Sequence, residues 1–234
     1  MNESYTLEII NKIFVNVFEK NNTFSLDEIL NKFAYDIDIP RKVTDYLTNE
    51  ITWTDSIDIN KKFITNKNMQ EKDIRGCWMQ EKRKITNLED LINIWQEINL
   101  TTTERVYDSV NVTKSDTIYR CENAYQSSDC SDSKNIIYCE SCGKSNYLLA
   151  SKRSGTCSFS IRIDDSKECS NSYNVICSNK ISNSIFIQDC SSLYECMFCS
   201  HISNKKYCIA NMQFEEDEYF YIKKEIVNWL LSKN

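Results

Sequence analysis

The chain has 234 residues, of which 12 are Cys, only three are Gly and one is Pro, and its formal net charge is −6. A chain of this length can bury a hydrophobic core of its own. Glycine-rich nucleotide-binding loops are excluded, because Gly76, Gly143 and Gly155 lack the spacing of a dinucleotide fingerprint or a P-loop. His201 is the single histidine, which excludes a metal site built from several histidines.

The N-terminal segment, residues 1–20, lacks the features of a secretory signal peptide. It has no basic region before its apolar residues and no small-residue cleavage pattern. No apolar run in the chain reaches the ~18 residues that are needed to cross a bilayer. We therefore expect a protein with no membrane segment, not secreted by a signal peptide, that is made in a reducing compartment.

Three helices are predicted in the first part of the chain. Residues 5–20 carry apolar side chains three and four positions apart, which is the period of an amphipathic helix. A second helix is predicted to begin at Ser25, because Ser25 and Glu28 form the pattern of a capping box. A third is predicted to start at Pro40, since proline suits the first turn of a helix. The apolar residues of this third helix are Val43, Tyr46 and Leu47.

Two short strands and a further helix are predicted next. Residues 51–54 and 62–65 have the composition of β-strands. Thr86 and Glu89 form a second capping box, which predicts the start of a helix. The predicted inward side chains of this helix are Leu91, Ile94, Trp95 and Ile98. Together these elements predict a small, mostly helical domain over residues 1–104.

The predicted order of three helices and two strands is that of a winged helix-turn-helix, so residues 25–65 are a candidate nucleic-acid-binding surface. The candidate recognition helix offers Arg41 and Lys42 beside Asp45 and Glu50, and the domain is net acidic. Phosphate binding normally requires a basic surface. A packing or protein-interaction role is therefore favoured for this region over nucleic-acid binding.

The second part of the chain has a period of three residues. From Val106 to Ile202, every third residue is uncharged and is neither an amide nor an aromatic residue. Such a period is incompatible with an α-helix, and long 3₁₀-helices are unstable. A collagen-type bundle would need Gly at its axis, which is missing. The remaining structure is a β-helix in which these residues point inward.

The length of one coil follows from the asparagines. Five of them share one register modulo twelve: Asn111, Asn123, Asn135, Asn171 and Asn183. Stacked corners favour Asn, because it tolerates the left-handed conformation and its amide can bond to the coils above and below. We therefore predict a narrow parallel β-helix over residues 105–211, with about twelve residues per coil and roughly eight coils.

The cysteines are interpreted as core residues of this narrow tube, since thiols are small, apolar and readily buried. Free thiols and disulfide pairs both fit this arrangement. Two C-x-x-C motifs, one of them at Cys196 and Cys199, also have the spacing of zinc ligands. A ladder with a period of three produces this spacing without a metal, so no cofactor is predicted. The weak metal candidates are Cys196, Cys199, His201 and Cys208.

Both ends of such a solenoid need covers, because an open coil exposes unpaired strand edges. The N-terminal helical domain is predicted to cover one end. Residues 212–234 follow the other end, and their acidic start and amphipathic pattern predict a C-terminal capping helix. The predicted fold class is therefore α+β, with a small helical domain, a parallel β-helix and a C-terminal α-helix in this order.

The twelve-residue period with inward Cys and Ser resembles the β-helix of beetle antifreeze proteins, whose coils follow T-C-T-x-S-x-x-C-x-x-A. The Thr-x-Thr row that binds ice in that family is not repeated here, so the resemblance does not imply ice binding. The stretch from Cys121 to Tyr219, with N-K-K-Y-C-I-A-N ending at Asn211, is also similar to poorly characterised Cys-rich repeat proteins of tailed phages and small-genome bacteria. That resemblance implies a phage setting and assigns no chemistry.

These observations predict a non-enzymatic protein, because the sequence offers no convergent polar groups of the kind that line a catalytic cleft. The first hypothesis is a phage-associated structural or assembly protein that presents a rigid β-helical rod to protein partners, in the virion or the host cytoplasm. The alternative is an intracellular inhibitor or regulator that binds a host protein complex or nucleic acid through the helical domain. The sequence leaves the partner and the oligomeric state open.

Overall fold

The computed structural model describes residues 1–58, 60–76 and 78–232. The elements before the solenoid are α1 (Glu3–Phe18), α2 (Leu26–Phe33), β1 (Arg41–Thr44), β2 (Ile51–Thr54), β3 (Lys62–Thr65), α3 (Asn66–Ile74), α4 (Leu88–Gln96) and β4 (Leu100–Thr103). The solenoid strands are β5 (Val106–Tyr107), β6 (Val110–Thr113), β7 (Asp116–Tyr119), β8 (Glu122–Tyr125), β9 (Ser128–Ser131), β10 (Lys134–Ile137), β11 (Asn146–Leu149), β12 (Ser158–Asp164), β13 (Tyr173–Ile176), β14 (Asn179–Ser182), β15 (Ile185–Gln188), β16 (Ser191–Ser200) and β17 (Ser203–Ile209). The chain continues with β18 (Met212–Gln213) and α5 (Glu216–Leu230).

Residues 106–209 form a parallel β-solenoid of about nine coils with roughly 12 residues in each, which confirms the predicted fold class. Paired strands lie twelve residues apart in the sequence; Lys134 pairs with Asn146, and Asn146 pairs with Ser158. At about 4.8 Å between paired strands, the rod is on the order of 40 Å long. The prediction of the coil length from the asparagines is confirmed as well.

The period of three residues has a backbone cause. Every third residue from Asp108 to Ala210 has a positive φ, between 44° and 59°, in the left-handed region. In each triplet the first residue points inward, the second points outward and the third forms a left-handed corner, so that four triplets complete a four-sided coil. The left-handed conformation costs most L-residues roughly 1–2 kcal/mol each, so interactions between coils must offset a large total cost.

Hydrogen bonds between coils engage the outward and corner N–H groups, and also the inward N–H group where the previous coil has an inward Ser below it. The outward Ser128 donates to the carbonyl of Cys139 in the next coil, and the corner residue Tyr138 donates to the carbonyl of Tyr125 in the previous coil. The N–H of an inward residue is bonded by a side chain instead: Ser127 Oγ accepts the N–H of Cys139 at 3.1 Å. The Ser127 hydroxyl also donates to the carbonyl of Tyr125. Inward serines therefore pair N–H groups that would otherwise be unpaired in the interior.

The interior of each coil holds one or two branched aliphatic side chains, and Ser, Cys or Ala fill its other inward positions. Ile136 and Leu148 stack on one side in successive coils, and Ile163 and Val175 stack on the next side two coils later. All four are fully buried. Because interiors are close-packed and the cross-section of the tube is constant, one large side chain must be balanced by small ones around the same coil.

One of the four sides is apolar on its outer surface and lies under the helices. Its outward residues recur every twelve positions and are Tyr125, Ile137, Leu149, Ile161, Tyr173, Ile185, Met197 and Ile209. The rings of Phe18 in α1 and Phe33 in α2 pack against the ring of Tyr173, with 5.5 and 6.0 Å between ring centroids. Helix α5 joins the same hydrophobic cluster through Tyr219 and Val227. Helices α1 and α2 thus cover a side of the solenoid and not the end that the N-terminal domain was predicted to cover.

The strand segment β1–β4 meets the first coil of the solenoid instead. Glu104 donates its N–H to the carbonyl of Trp53, which joins β4 to β2 at the entrance of the solenoid. Arg105 lies between Asp55 and the fully buried Asp116, at 2.7 and 3.0 Å between nitrogen and oxygen. A buried carboxylate needs such a partner, so this ion pair ties the strand segment to the first coil.

The prediction of a third helix starting at Pro40 is wrong. The residues after Pro40 form β1, which pairs antiparallel with β2. Two effects favour the strand: Val43 and Thr44 are β-branched, and the carboxylate of Asp45 accepts the N–H of Leu47 at 2.7 Å in a turn that reverses the chain. The predicted helix order of a winged helix-turn-helix is therefore wrong, whereas the strands at residues 51–54 and 62–65 are confirmed as β2 and β3.

The predicted capping box of α4 is wrong by one residue. The N-cap is Asn87, whose side chain accepts the N–H of Asp90, while Thr86 donates its own N–H to the carboxylate of Asp90. Leu91 and Trp95, predicted to point inward, are about half exposed. The capping box of α2, between Ser25 and Glu28, is confirmed. Helix α1 is confirmed over most of the predicted range.

Candidate functional site on the open sides of the solenoid

The weak metal candidates lie on opposite faces of the solenoid wall. Cys196, Cys199 and Cys208 are buried in the interior. His201 stands at an exposed corner, where its Nδ1 lies 3.8 Å from a carboxylate oxygen of Asp189. Throughout the described residues, no group of three or more His, Cys, Asp or Glu side chains is arranged to hold a metal ion. The structure therefore does not bring His201 together with the three cysteines.

The interior thiols are engaged with backbone carbonyls and with one another. Cys199 Sγ lies 3.5 Å from the carbonyl oxygen of Cys208, in the following coil. Burial raises the pKa of the Cys139 thiol well above its usual value, whereas a hydrogen bond from the Cys196 thiol lowers the pKa of Cys199 to about 7. All described cysteines are free thiols, and among them Cys177, at a corner, is exposed. The others are packing residues of the narrow interior.

Two adjacent sides of the solenoid are open to solvent. The outward residues of the first, the Ser/Gly side, are Tyr107, Tyr119, Ser131, Gly143, Gly155, Lys167, Asn179, Ser191 and Ser203. Those of the second, the mixed-charge side, are Val110, Glu122, Lys134, Asn146, Ser158, Ser170, Ser182, Tyr194 and Lys206. All of these residues are half-buried or exposed. These two sides form the candidate functional site, because they run along the whole rod.

A column of corner residues separates the two open sides, and its charges alternate. Its members are Asp108, Arg120, Asp132, Lys144, Thr156, Glu168 and Lys180, followed by the uncharged Ser192 and Asn204. The guanidinium of Arg120 bonds both carboxylate oxygens of Asp132, at 2.7 and 2.9 Å, and these bonds lower the pKa of that carboxyl. Beside them, Lys134 Nζ lies 2.9 Å from Glu122. Exposed pairs contribute little to stability, so their main effect is a charge-balanced surface.

The middle of the Ser/Gly side is flat. Gly143 and Gly155 have no positive φ, and a Cβ added at either would stay at least 3.6 Å from its nearest neighbour. The backbone therefore does not require glycine at these two positions. Together with Ser131 they form a strip over three successive coils on which no side chain extends beyond a hydroxyl. A second surface can approach the backbone closely along this strip.

The fourth side is partly covered by the loop after α2. Arg162 donates to the carbonyl of Phe33 and to the carboxylate of Asp36, at 2.6 and 2.7 Å. Burial alone would raise the pKa of Asp36, yet the hydrogen bonds and positive charges of Arg162 and Lys152 together outweigh it and lower the pKa of this carboxyl. Lys152 joins the same carboxylate at 3.3 Å. These contacts fix the loop on the solenoid and leave the other two sides as the open ones.

Sequence reasoning missed which sides are open and which is covered. The signal was present, because apolar outward residues recur every twelve positions at Ile137, Leu149 and Ile161. Tyr107 and Tyr119 lie outside the inward frame and stack on each other with ring centroids 5.3 Å apart. A coil-by-coil comparison of the outward residues would have separated the apolar side from the polar ones.

Among the described residues, no helix combines the length and the apolar content that are needed to cross a bilayer. No protein-family model and no curated protein sequence matches the chain. The two open sides, with their flat strip and balanced charge, are therefore the basis for assigning a function to this solenoid.

Proposed function

We propose that this protein is a non-enzymatic structural or assembly protein of a tailed phage, and that the open sides of its solenoid bind protein partners. The observation that carries the proposal is the flat strip of Ser131, Gly143 and Gly155. The backbone does not require glycine at positions 143 and 155, so its conformation does not explain why the strip is flat. Hydrogen bonds between coils hold this surface rigid, so it loses little conformational entropy on binding. The phage setting rests on the resemblance of residues 121–219 to phage-encoded repeat proteins.

The dimensions of the open sides support a protein partner. Three residues span about 10 Å across each side, and the rod is on the order of 40 Å long. The two sides together therefore offer roughly 800 Å², which is the area that each partner contributes to a standard interface. Exposed Tyr107, Tyr119 and Tyr194 lie towards the ends of these sides, and tyrosine is enriched at protein interfaces.

Binding of nucleic acid through residues 25–65 is not proposed, because its main element is missing. The predicted recognition helix is the strand β1. The guanidinium of Arg41 in this strand donates to the carbonyls of Ser56 and Asp58, both at 2.7 Å, and is therefore engaged within the chain. A host-directed regulatory role through protein contacts would replace the structural role if the protein were recovered in a host complex.

The test is mass spectrometry of purified phage particles and of assembly intermediates. We expect the protein in one of these fractions, and we expect the double substitution Gly143→Arg with Gly155→Arg to remove it. A matched control is Asn16→Arg with Asn21→Arg, which adds the same charge to exposed positions away from the open sides. Thermal unfolding should be similar for both variants. Absence of the wild-type protein from all particle fractions, together with its recovery in a host complex, would contradict the proposal.

A further inference from the structure

The Ser/Gly side and the column of corner residues beside it share one midpoint. Gly155 is the fifth of the nine outward residues of this side, and Thr156 is the fifth of the nine corner residues. If a second copy is turned end over end and laid on the same side, the corner column stays on the same edge and meets its own copy. Each residue then faces the residue that lies equally far beyond the midpoint.

The facing residues along the Ser/Gly side are complementary in size. Gly143 faces Lys167, and Gly155 faces itself. Towards the ends, the facing pairs are Ser131 with Asn179, Tyr119 with Ser191, and Tyr107 with Ser203. The larger member of each pair is exposed and extends from the surface. Close packing requires a gap for each such side chain, and the small residues of the other copy supply these gaps.

The facing residues of the corner column are complementary in charge. Lys144 faces Glu168, and Lys180 faces Asp132. Among the described residues, Lys144, Glu168 and Lys180 make no ion pair within the chain. The remaining facing pairs are Arg120 with Ser192, Asp108 with Asn204, and Thr156 with itself. The pairing therefore gives each unpaired charge an opposite partner and brings no two like charges together.

Other registers of the same two surfaces bring like charges together. A shift of the second copy by one coil in one direction would place Lys144 opposite Lys180, and the opposite shift would place Asp132 opposite Glu168. A shift by two coils would place Lys144 or Glu168 opposite its own copy. Like charges that face each other across an interface are repulsive. The register about Thr156 avoids them, and it also overlaps all nine coils.

We propose that two copies of this chain associate antiparallel through the Ser/Gly side, about a two-fold axis that crosses Gly155 and Thr156. This inference rests on the proposed function, because it names a partner for part of the same open surface. The contact strip with its corner column spans about five residues, or about 16 Å, along a rod on the order of 40 Å long. Two copies would therefore bury roughly 1,200 Å², the lower limit of a stable interface.

The first test is sedimentation of the full chain from about 1 to 300 µM, the range in which a small interface dissociates. We expect a monomer–dimer equilibrium that Gly155→Arg weakens by at least tenfold, because two arginines would meet on the axis. A Cβ at this position stays 3.7 Å from its nearest neighbour, so the unfolding midpoint of the variant should stay close to that of the wild type. The control is Asn16→Arg, at an exposed position of α1, which covers the opposite side of the coils.

The second test is charge reversal in the corner column. Lys144→Glu and Glu168→Lys should each weaken the dimer severalfold, because each places like charges opposite each other at two symmetric points. The two substitutions in one chain should restore the dimer. The control is Lys20→Glu, which reverses an exposed charge away from the open sides and should leave the equilibrium unchanged.

The third test is cross-linking with a short bismaleimide, which reports the register. Cys177, which is exposed, and Cys77, which lies outside the described residues, are first replaced by Ser. Thr156→Cys should then cross-link to its own copy on the axis. Ser131→Cys and Asn179→Cys should cross-link only when the two variants are mixed, because each lies two coils from the axis in opposite directions.

A monomer at every concentration would overturn the inference, as would a dimer that Gly155→Arg leaves intact. Cross-linking of Ser131→Cys to its own copy, without Asn179→Cys, would overturn the antiparallel register. The proposed function fails separately. A monomer that still enters phage particles would contradict only the dimer, whereas a dimer that is absent from every particle fraction would contradict only the phage role.

Discussion

The solenoid and the arm of residues 66–99, which carries α4 between β3 and β4, place similar apolar residues in opposite surroundings. Ile136 and Leu148 are fully buried, because backbone pairing stacks a further coil on each side of them. Leu91 and Trp95 recur with an equally clear period and are about half exposed. The repeated backbone supplies a neighbour for every inward residue, whereas the arm occurs once and leaves Leu91 and Trp95 in contact with solvent. Periodicity thus identifies an apolar face but does not say what covers it.

The largest effect is expected from a charge in the interior. Leu148→Asp would place a carboxylate among Ser, Cys and aliphatic side chains, so we expect a loss of about 4 kcal/mol or more in the free energy of unfolding. Urea denaturation measures it. The control is Asn146→Asp, which puts the same charge at an exposed outward position of the same coil and should change stability by less than about 0.5 kcal/mol. Equal effects of the two substitutions would mean that the interior is hydrated.

The next effect concerns the hydrogen bonds of an inward serine. Ser172 Oγ donates to the carbonyl of Ser170 at 2.7 Å and accepts the N–H of Ser184 at 3.3 Å. Ser172→Ala leaves that N–H unpaired in the interior, and we expect a loss of roughly 1–3 kcal/mol. Hydrogen exchange of the Ser184 amide should become faster at the same time. Ser170→Ala, on an open side, is the control, and an equally large loss there would contradict the role of the inward hydroxyl.

A corner substitution should cost slightly less. Asn171 has a φ of 47°, and its amide donates to the side chain of Asn183 at 3.1 Å. Asn171→Val puts a β-branched residue into the left-handed region, so we expect a loss of roughly 1–2 kcal/mol in thermal unfolding experiments. Asn171→Gly removes the same hydrogen bond without the conformational cost. The valine variant should therefore unfold at a lower temperature than the glycine variant, and the reverse order would count against a strained corner.

The smallest effect is expected on the arm. Leu91→Ser should change the free energy of unfolding of the monomer by less than about 0.5 kcal/mol, because the side chain is about half exposed in the monomer. Ile136→Ser, a comparable loss of apolar volume inside the solenoid, should cost about 2–5 kcal/mol. Both are measured by urea denaturation at the same protein concentration. If the arm variant lost as much stability as the interior one, α4 would have a partner surface within its own chain.

The solenoid could be predicted from the sequence because each coil repeats the same constraint. The inward frame excludes charged residues, and stacked corners favour Asn; the amide of Asn111 donates to Asn123 at 2.6 Å, and that of Asn123 donates to Asn135 at 2.8 Å. Because the same weak preferences recur in every coil, together they exclude other folds. The stacked rings of Tyr147 and Phe159, 4.4 Å apart, continue the same column in two further coils.

The N-terminal part could not be predicted to the same extent, because each of its elements occurs once. At Pro40 a local helix preference competed with the β-branched residues Val43 and Thr44, and the pairing with β2 that favours the strand was not visible in the local sequence. The sequence also could not decide whether the candidate cysteines bind a metal, because a C-x-x-C spacing fits both zinc ligands and a ladder of inward residues. The position of His201 on the outer surface, opposite the buried Cys199, was visible only in the three-dimensional structure.

The solenoid has two sequence periods, three residues for each side and twelve residues for each coil. They place different limits on insertions and deletions. Removing twelve residues, such as residues 166–177, would shorten the rod by about 4.8 Å and return every later residue to its own side. Removing three residues would keep the inward frame but rotate all later residues by one side, so that Ile185 and Met197 would leave α1 and α5 and face solvent. Length changes in this rod are therefore tolerated in whole coils, because only they keep its apolar side under the helices.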